Sequence, residues 1–137
     1  MTVYAQVVTN DGKNNLLYTG FAGGVGASPF GFMAAGKSTT DPTEGSDGLV
    51  AECSSEDGDY SRTILTNQIN TDLNKITMEG IFPITNITNT TEINEVGIVD
   101  RDTLLQGTFF CICRIPAMTK NGDNQLRIVI TATLESV

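Results

Sequence analysis

The segment near the end of the chain places the strongest constraint on the fold. From Leu126 to Leu134, apolar side chains stand at every even position, and the odd positions between them carry Arg, Val or Thr. A period of two is that of a β-strand with one buried face. No segment after Gly23 shows the 3.6-residue period of an amphipathic helix. The sequence therefore predicts an all-β fold.

Turn-forming residues divide the rest of the chain into short strand-like segments. Turns recur at intervals of about 8 to 12 residues, which is typical of an antiparallel β-sandwich of about seven strands. We expect the further strands at Val3–Thr9, Pro29–Ala35, Leu49–Cys53, Tyr60–Asn70, Lys75–Ile84, Glu92–Val99 and Leu104–Arg114, with a meander from Leu49 onward.

The N-terminal part of the chain differs from the rest. Asn10-Asp11-Gly12 is a strong turn signal that closes the first predicted strand, and Asn14–Phe21 is the one segment in which we expect a short helix. Residues 1–28 thus form a strand, a short helix and a Gly-rich arm. Because 137 residues fit one hydrophobic core, we expect a single domain over residues 1–137.

Composition narrows the classes of function. The formal net charge of −8 opposes binding to nucleic acid and to anionic lipid, and no apolar run is long enough to span a membrane. The chain start lacks the features of a signal peptide. Histidine is absent, which excludes His-based catalytic triads and most zinc sites. We predict no cofactor, no metal and no enzymatic activity.

Three cysteines, Cys53, Cys111 and Cys113, are an odd number for a disulfide framework. Cys111 and Cys113 are too close in sequence for an ordinary disulfide and do not have the spacing of a zinc site. Two positions apart on a strand, their side chains lie on the same face, where Cys behaves as a small buried apolar residue. We therefore expect reduced, buried thiols.

One motif points in another direction. Residues 31–38, Gly-Phe-Met-Ala-Ala-Gly-Lys-Ser, satisfy the complete P-loop consensus, with Gly31, Gly36, Lys37 and Ser38 at its fixed positions. A P-loop needs a helix that begins at the Lys-Ser pair. Pro42 and two following glycines prevent such a helix. We therefore interpret the match as coincidental, even though Val96–Asp100 could be taken for the matching magnesium-binding strand.

The acidic residues form no complete ligand set. They are spread over three predicted loops, none with the spacing of a calcium-binding EF-hand. A glycosidase would need two facing carboxylates and usually aromatic sugar platforms, and the chain has no Trp. We expect these side chains to be solvated: Asp41, Glu44 and Asp47 in the first loop, Glu56, Asp57 and Asp59 in the second, Asp100 and Asp102 in the third.

Three stretches carry a resemblance to a known family. They are Phe30–Thr43, Ile93–Asp100, and the part from Leu104 through Ile115-Pro116 to the Leu126–Leu134 strand. Together they resemble small all-β virion proteins of tailed bacteriophages, found in tails and fibre attachment regions. The resemblance implies a homo-oligomer, a trimer or ring, that contacts other virion proteins and a host surface receptor. It also implies assembly in the host cytoplasm and gives residues 36–43 a structural role.

Three functions therefore remain open. The first is a virion structural protein of the tail, fibre, baseplate or capsid surface that acts through subunit contacts. The second is a soluble β-sandwich that binds carbohydrate or peptide through the loops Asp41–Gly48 and Ser54–Asp59. The third, a P-loop nucleotide-binding protein, predicts nucleotide binding that is lost in Lys37→Ala.

Overall fold

Strands make up most of the regular structure. The computed structural model describes residues 4–21, 29–70 and 74–134. In chain order its elements are β1 (Gln6–Val8), α1 (Asn10–Phe21), β2 (Phe32–Gly36), a 3-10 turn (Ser55–Asp57), β3 (Thr63–Ile64), β4 (Thr66–Asn70), β5 (Lys75–Phe82), β6 (Thr91–Val99), β7 (Phe109–Lys120) and β8 (Leu126–Thr133). No helix in these ranges is long and apolar enough to cross a bilayer.

The strands form two antiparallel sheets. One has the order β1-β7-β6-β2-β3 and the other the order β4-β5-β8. Their facing side chains form one buried cluster, to which the larger sheet contributes Met33, Val96 and Ile98 and the smaller sheet Phe82 and Ile128. The predicted all-β sandwich is therefore confirmed.

The two sheets join at one corner. Only Leu65 separates β3 from β4, so the chain pairs first with β2 in the larger sheet and then with β5 in the smaller one. The hydroxyl of Thr63 donates a hydrogen bond of 2.7 Å to the carbonyl of Ile81 across this corner. At the far end of the smaller sheet, β8 pairs with β5 on one side only.

The outer face of the larger sheet carries a second, smaller apolar cluster. Ala34, Val99, Phe109 and Ile112 are buried there. Helix α1 lies against β7 beside this cluster, and a Cβ added at Gly12 would come within 2.5 Å of the Phe110 carbonyl oxygen. Gly12 is therefore needed for close packing of the helix on the sheet.

The prediction for the N-terminal turn is wrong. Asn10-Asp11-Gly12 does not close a hairpin but forms the first turn of α1, which starts four residues before the predicted helix at Asn14. The side chain of the buried Thr9 explains this start, because its hydroxyl accepts a hydrogen bond of 2.9 Å from the Gly12 N–H. The predicted strand around it shortens to Gln6–Val8. The Gly-rich part of the predicted arm, 22–28, lies outside the described residues.

Several predicted strands also need correction. Leu49–Cys53 contributes only a single bridge, Glu52 to Gly36, and residues 104–108 form a loop in which Leu105 and Gly107 have positive φ angles of 60° and 95°. Such angles are incompatible with a strand. The meander is wrong as well, because consecutive strands β5 and β6 belong to different sheets. The strands predicted at Lys75, Glu92 and Leu126 agree with β5, β6 and β8 to within two residues.

Candidate functional site

The P-loop match lies in an antiparallel strand. Residues Phe32–Gly36 form β2, which pairs with β6 on one side and β3 on the other, and the chain from 37 to 43 is not helical. Phe32 pairs with Val99, and Gly36 with Glu95. Lys37 and Asp100, which follow the two strands, therefore lie at opposite ends of the pair. A magnesium site shared by Lys37 and Asp100 is incompatible with this arrangement.

A buried carboxylate occupies the space beside Gly36. A Cβ added at Gly36 would lie 2.7 Å from Cγ of Glu95, so the glycine makes room for the Glu95 side chain. The carboxylate of Glu95 accepts hydrogen bonds of 2.9 Å from the Ser38 N–H and 2.8 Å from the Val50 N–H. Burial raises the pKa of Glu95, while these N–H donors lower it. A P-loop would direct such N–H groups at phosphate instead.

Lys37 is engaged by an acidic residue of the second predicted loop. Its Nζ atom lies 3.2 Å from Oδ1 and 3.2 Å from Oδ2 of Asp57. Asp57 is buried, and its Oδ2 also accepts a hydrogen bond from the Ser54 N–H in the capping box of the 3-10 turn. The prediction that this acidic turn is solvated is therefore wrong for Asp57, although Glu56 is exposed.

A buried ion pair that was not predicted lies beside the end of β2 that extends past its pairing with β3. Glu52 and Arg62 form two hydrogen bonds of 2.8 Å, from Nε to Oε2 and from Nη2 to Oε1, with side chains 2% and 0% exposed. Tyr60 donates to Glu52 Oε2 at 2.7 Å and accepts from the Ala35 N–H at 3.1 Å. Burial opposes ionisation of Glu52, but hydrogen bonds from Arg62, Tyr60 and the Leu105 N–H lower its pKa below the usual value.

The same arginine fixes the loop that follows β6. Its Nη1 atom donates to the carbonyl oxygens of Arg101 at 2.9 Å and Gln106 at 2.7 Å, and the guanidinium lies 5.4 Å from the centre of the Phe109 ring. Each of the three guanidinium nitrogens of Arg62 thus has a structural partner. A charged residue within an otherwise apolar segment, as Glu52 is, was the available sequence signal for this network.

A small open cavity lies next to this network on the outer face of the larger sheet. Its volume is about 380 Å³, and its lining residues are Asp11, Asp47, Gly48, Leu49, Glu52, Leu105, Gln106, Gly107 and Phe109. Arg62 neutralises Glu52, whereas within the described ranges neither Asp11 nor Asp47 has an ion-pair partner. The cavity therefore has two acidic residues, Asp11 and Asp47, in a mainly polar lining that also includes Leu49 and Phe109.

The other acidic residues do not converge. Asp41 pairs with Arg114 at 2.9 Å, and Glu44 lies 3.6 Å from Lys13. Asp100 accepts a hydrogen bond of 2.8 Å from the Thr108 N–H. Across the described parts of the chain, no group of three or more Asp, Glu, Cys or His side chains has the arrangement of a metal site.

The cysteines are free thiols in the core. Cys53, Cys111 and Cys113 are all buried and belong to the cluster between the sheets. Cys111 and Cys113 lie on the same face of β7, as predicted. Burial raises the pKa of Cys53 to about 12, so this thiol stays protonated and unreactive at neutral pH.

The exposed side of β8 is the clearest unpartnered surface in the described structure. The strand is eight residues long, whereas the other edge strands have three, two and five residues in β1, β3 and β4. Its pairing with β5 is regular from Leu126 to Thr133. Long, regular edge strands readily add a further strand.

Comparison with known proteins found no matching family model, no similar curated protein and no similar solved structure.

Proposed function

We propose that this chain is a virion structural protein of a tailed bacteriophage, which acts through contacts between its copies and with other virion proteins. The observation that supports contact between copies is the free edge of β8, an eight-residue strand with hydrogen-bonding groups on one side only. The assignment to a virion rests on the resemblance of Phe30–Thr43, Ile93–Asp100 and the C-terminal strands to phage tail and fibre proteins.

Several exposed aliphatic side chains are consistent with a protein that functions within an assembly. Ile64, Leu105 and Leu134 are 76%, 82% and 78% exposed. Single exposed apolar side chains also occur on monomers, so these three residues support an assembly only in combination with the free edge of β8. Contacts between copies would remove them from water.

The polar groups of the former candidate site serve the fold. Lys37 pairs with Asp57, Glu95 binds the N–H groups of Ser38 and Val50, and Arg62 pairs with Glu52. Each of these groups is held by the protein itself, and none is directed at an open site with a base and a nucleophile in reach. The proposed role is therefore structural, with no catalytic step.

Composition of the intact particle tests the proposal. We expect the chain in purified virions in a fixed copy number, and particles made without its gene to lack one defined part of the tail, fibre, baseplate or capsid surface. Quantitative mass spectrometry and electron cryo-microscopy of both particles measure this. A chain that is produced during infection but is missing from washed particles would contradict the proposal.

The cavity favours a second function, a soluble module that binds peptide or carbohydrate. Asp11 and Asp47 beside Leu49 and Phe109 suit a cationic group on an apolar stem, such as a lysine or arginine side chain of a peptide. On this hypothesis a monomer binds basic peptides, and Asp47→Asn weakens binding. Titration calorimetry with Lys- and Arg-containing peptides distinguishes it from the structural role.

That the chain binds no nucleotide is a prediction that can be tested directly. Because Ser38 N–H is bound to Glu95 and Lys37 to Asp57, we expect no binding of ATP or GTP with magnesium. Equilibrium dialysis with the wild type and Lys37→Ala measures this. Binding to the wild type that Lys37→Ala abolishes would restore the P-loop hypothesis.

A further inference from the structure

The backbone groups on the free side of β8 can be identified from its pairing with β5. The N–H of Leu134 donates to the carbonyl of Asn74 at 3.0 Å, just beyond the last ladder pair, Lys75 with Thr133. In an antiparallel ladder, residues that exchange hydrogen bonds with the neighbour alternate with residues that do not. The even positions of β8 therefore bond to β5, and the odd positions direct their N–H and C=O groups outward.

Four residues thus present unpaired backbone groups: Arg127, Val129, Thr131 and Thr133. The ladder between β5 and β8 has no bulge that would twist this edge away, and β8 contains no proline. Both are devices that proteins use to block edge pairing. Within the described ranges no other strand covers this side.

The strand is complementary to a second copy of itself. With a two-fold axis at Ile130, antiparallel pairing sets Arg127 opposite Thr133 and Val129 opposite Thr131 of the other copy. This is the one symmetric register in which all four outward-facing residues find outward-facing partners. It also sets Ile128 opposite Ala132, so the apolar inner face continues from one copy into the next.

Charge does not oppose this register. Arg127 is the charged residue of β8, and its Nε atom donates to Glu79 on β5 at 2.9 Å, so the side chain leans away from the free edge. In the antiparallel register the two Arg127 residues lie six positions apart along the strand, about 20 Å at the rise of a β-strand. Salt at physiological strength screens charges at that distance.

Burial along β8 supports the same conclusion. On the inner face, Leu126 and Ile128 are buried, whereas Ile130 and Ala132 are only partly buried. On the outer face Val129 is 45% exposed. The side chains nearest the two-fold axis are therefore those that retain apolar surface to bury.

From these observations we infer that β8 is a self-association site, through which two copies pair antiparallel about Ile130 into one continuous sheet. The inference rests on the proposed function, since it names the surface through which copies make contact. It predicts a symmetric dimer as the building unit, and a larger closed assembly then needs a second kind of contact elsewhere.

Amide hydrogen exchange combined with molar mass tests the register. From about 10 µM to about 1 mM wild-type protein, we expect the mass to rise from monomer to dimer. Over the same range the amides of Val129 and Thr131 should slow by about tenfold or more, while that of Ile130 is protected throughout. Thr131→Pro removes one outward N–H and no intramolecular bond, and edge strands tolerate such a proline. It should abolish the dimer, and its matched control Thr131→Val should retain it.

Val129→Lys gives a second test if Thr131→Pro does not fold, because the lysine adds positive charge beside the axis without changing the backbone. The following outcomes would contradict the inference. Odd-numbered amides that exchange rapidly at every concentration would overturn the inference. An oligomer with rapidly exchanging odd amides would overturn it too, but would leave the proposed structural role standing, since the copies then meet elsewhere. If the odd-numbered amides are protected while the protein stays monomeric, other residues of the same chain cover the edge, and this too would overturn the inference.

Discussion

The two sides of the fold end in opposite ways. Beside β2, the edge is closed by the Glu52–Arg62 pair, by Tyr60 and by the short strand β3. Beside β5, strand β8 leaves its outer side without a partner among the described residues. Glu52, Tyr60 and Arg62 form the closed edge, and Arg127–Thr133 form the open edge.

The difference separates stability from association. At the closed edge, buried charges are bound by several partners within the chain, so a change there leaves an unpaired charge and weakens the fold. At the open edge, the side chains on the outer face are exposed, and the outward backbone groups have no neighbouring strand among the described residues. A change there acts on what the chain contacts, with little effect on folding.

The largest expected effect is at Arg62. Arg62→Ala leaves the buried carboxylate of Glu52 without its partner and releases the carbonyl oxygens of Arg101 and Gln106. We expect the free energy of unfolding to fall by about 3 to 5 kcal/mol, as for other broken buried ion pairs. Urea denaturation followed by circular dichroism measures it.

A matched control comes from the exposed pair of Arg127 and Glu79. Arg127→Ala removes the same type of side chain from the same type of ion pair, but at the surface, so the urea midpoint should stay unchanged. A double variant, Glu52→Leu with Arg62→Met, should recover part of the loss because no charge is left unpaired, although the carbonyl oxygens of Arg101 and Gln106 still lack their donor. Equal midpoints for Arg62→Ala and Arg127→Ala would remove the distinction between the two edges.

The next largest effect on stability is expected at Gly36, one of the two glycines of the P-loop consensus. Gly36→Ala places a Cβ 2.7 Å from Cγ of Glu95 and 2.9 Å from the Ala51 carbonyl oxygen. We expect a loss of about 1 to 3 kcal/mol in unfolding free energy from overpacking. No atom lies within 4 Å of a Cβ added at Gly31, so Gly31→Ala should change stability by less than about 1 kcal/mol.

Thermal and urea unfolding of both glycine variants check this prediction. If the segment bound nucleotide, both glycines would be needed for that binding. Their effects on folding would then have no reason to differ in this way. If Gly31→Ala lowers the unfolding free energy as much as Gly36→Ala does, the space beside Glu95 does not explain why residue 36 is glycine.

The sequence predicted those features that depend on neighbours along the chain. The alternation in Leu126–Leu134 identified β8, because a period of two needs no long-range information, and the strand predicted at Lys75–Ile84 matches β5. At Gly80 within β5 the sheets approach closely, with Met33 Sδ 2.6 Å from an added Cβ.

Features that depend on distant partners were not predictable. Glu52 and Arg62 pair across a turn. Glu52 also accepts a hydrogen bond from the Leu105 N–H, and Arg62 donates to the Gln106 carbonyl, contacts with another loop that no local pattern encodes. The start of α1 was missed because Asn-Asp-Gly is both a turn signal and an acceptable first helical turn. The deciding group, Thr9, is fixed by contact with Phe109 on β7.

The pH dependence of stability distinguishes the two buried carboxylates, Glu52 and Glu95. The pKa of Glu52 is lowered in the folded state, so its stabilising contribution is complete above the unfolded pKa of about 4.3 and is lost as the pH falls through the folded pKa. The pKa of Glu95 is raised, so protonation of Glu95 favours the fold as the pH falls through that higher value.

Unfolding free energies between pH 7 and pH 3 test this contrast. The advantage of the wild type over Glu52→Gln should shrink as the pH falls below about 4. For Glu95→Gln, which disturbs the N–H groups of Ser38 and Val50, the advantage of the wild type should not shrink in that way. Parallel curves for both variants would contradict the assigned directions.

The smallest expected effect on stability is at the open edge, where Val129→Lys should change the unfolding free energy by no more than about 0.5 kcal/mol. Val129 is 45% exposed on the outer face, opposite Glu79 of β5, so the lysine stays at the surface and buries no charge. The same substitution places an ammonium beside the two-fold axis, and the concentration dependence of the molar mass should disappear. A variant that keeps the dimer would contradict pairing through the open edge, and one that loses stability as Arg62→Ala does would mean that the open edge belongs to the core.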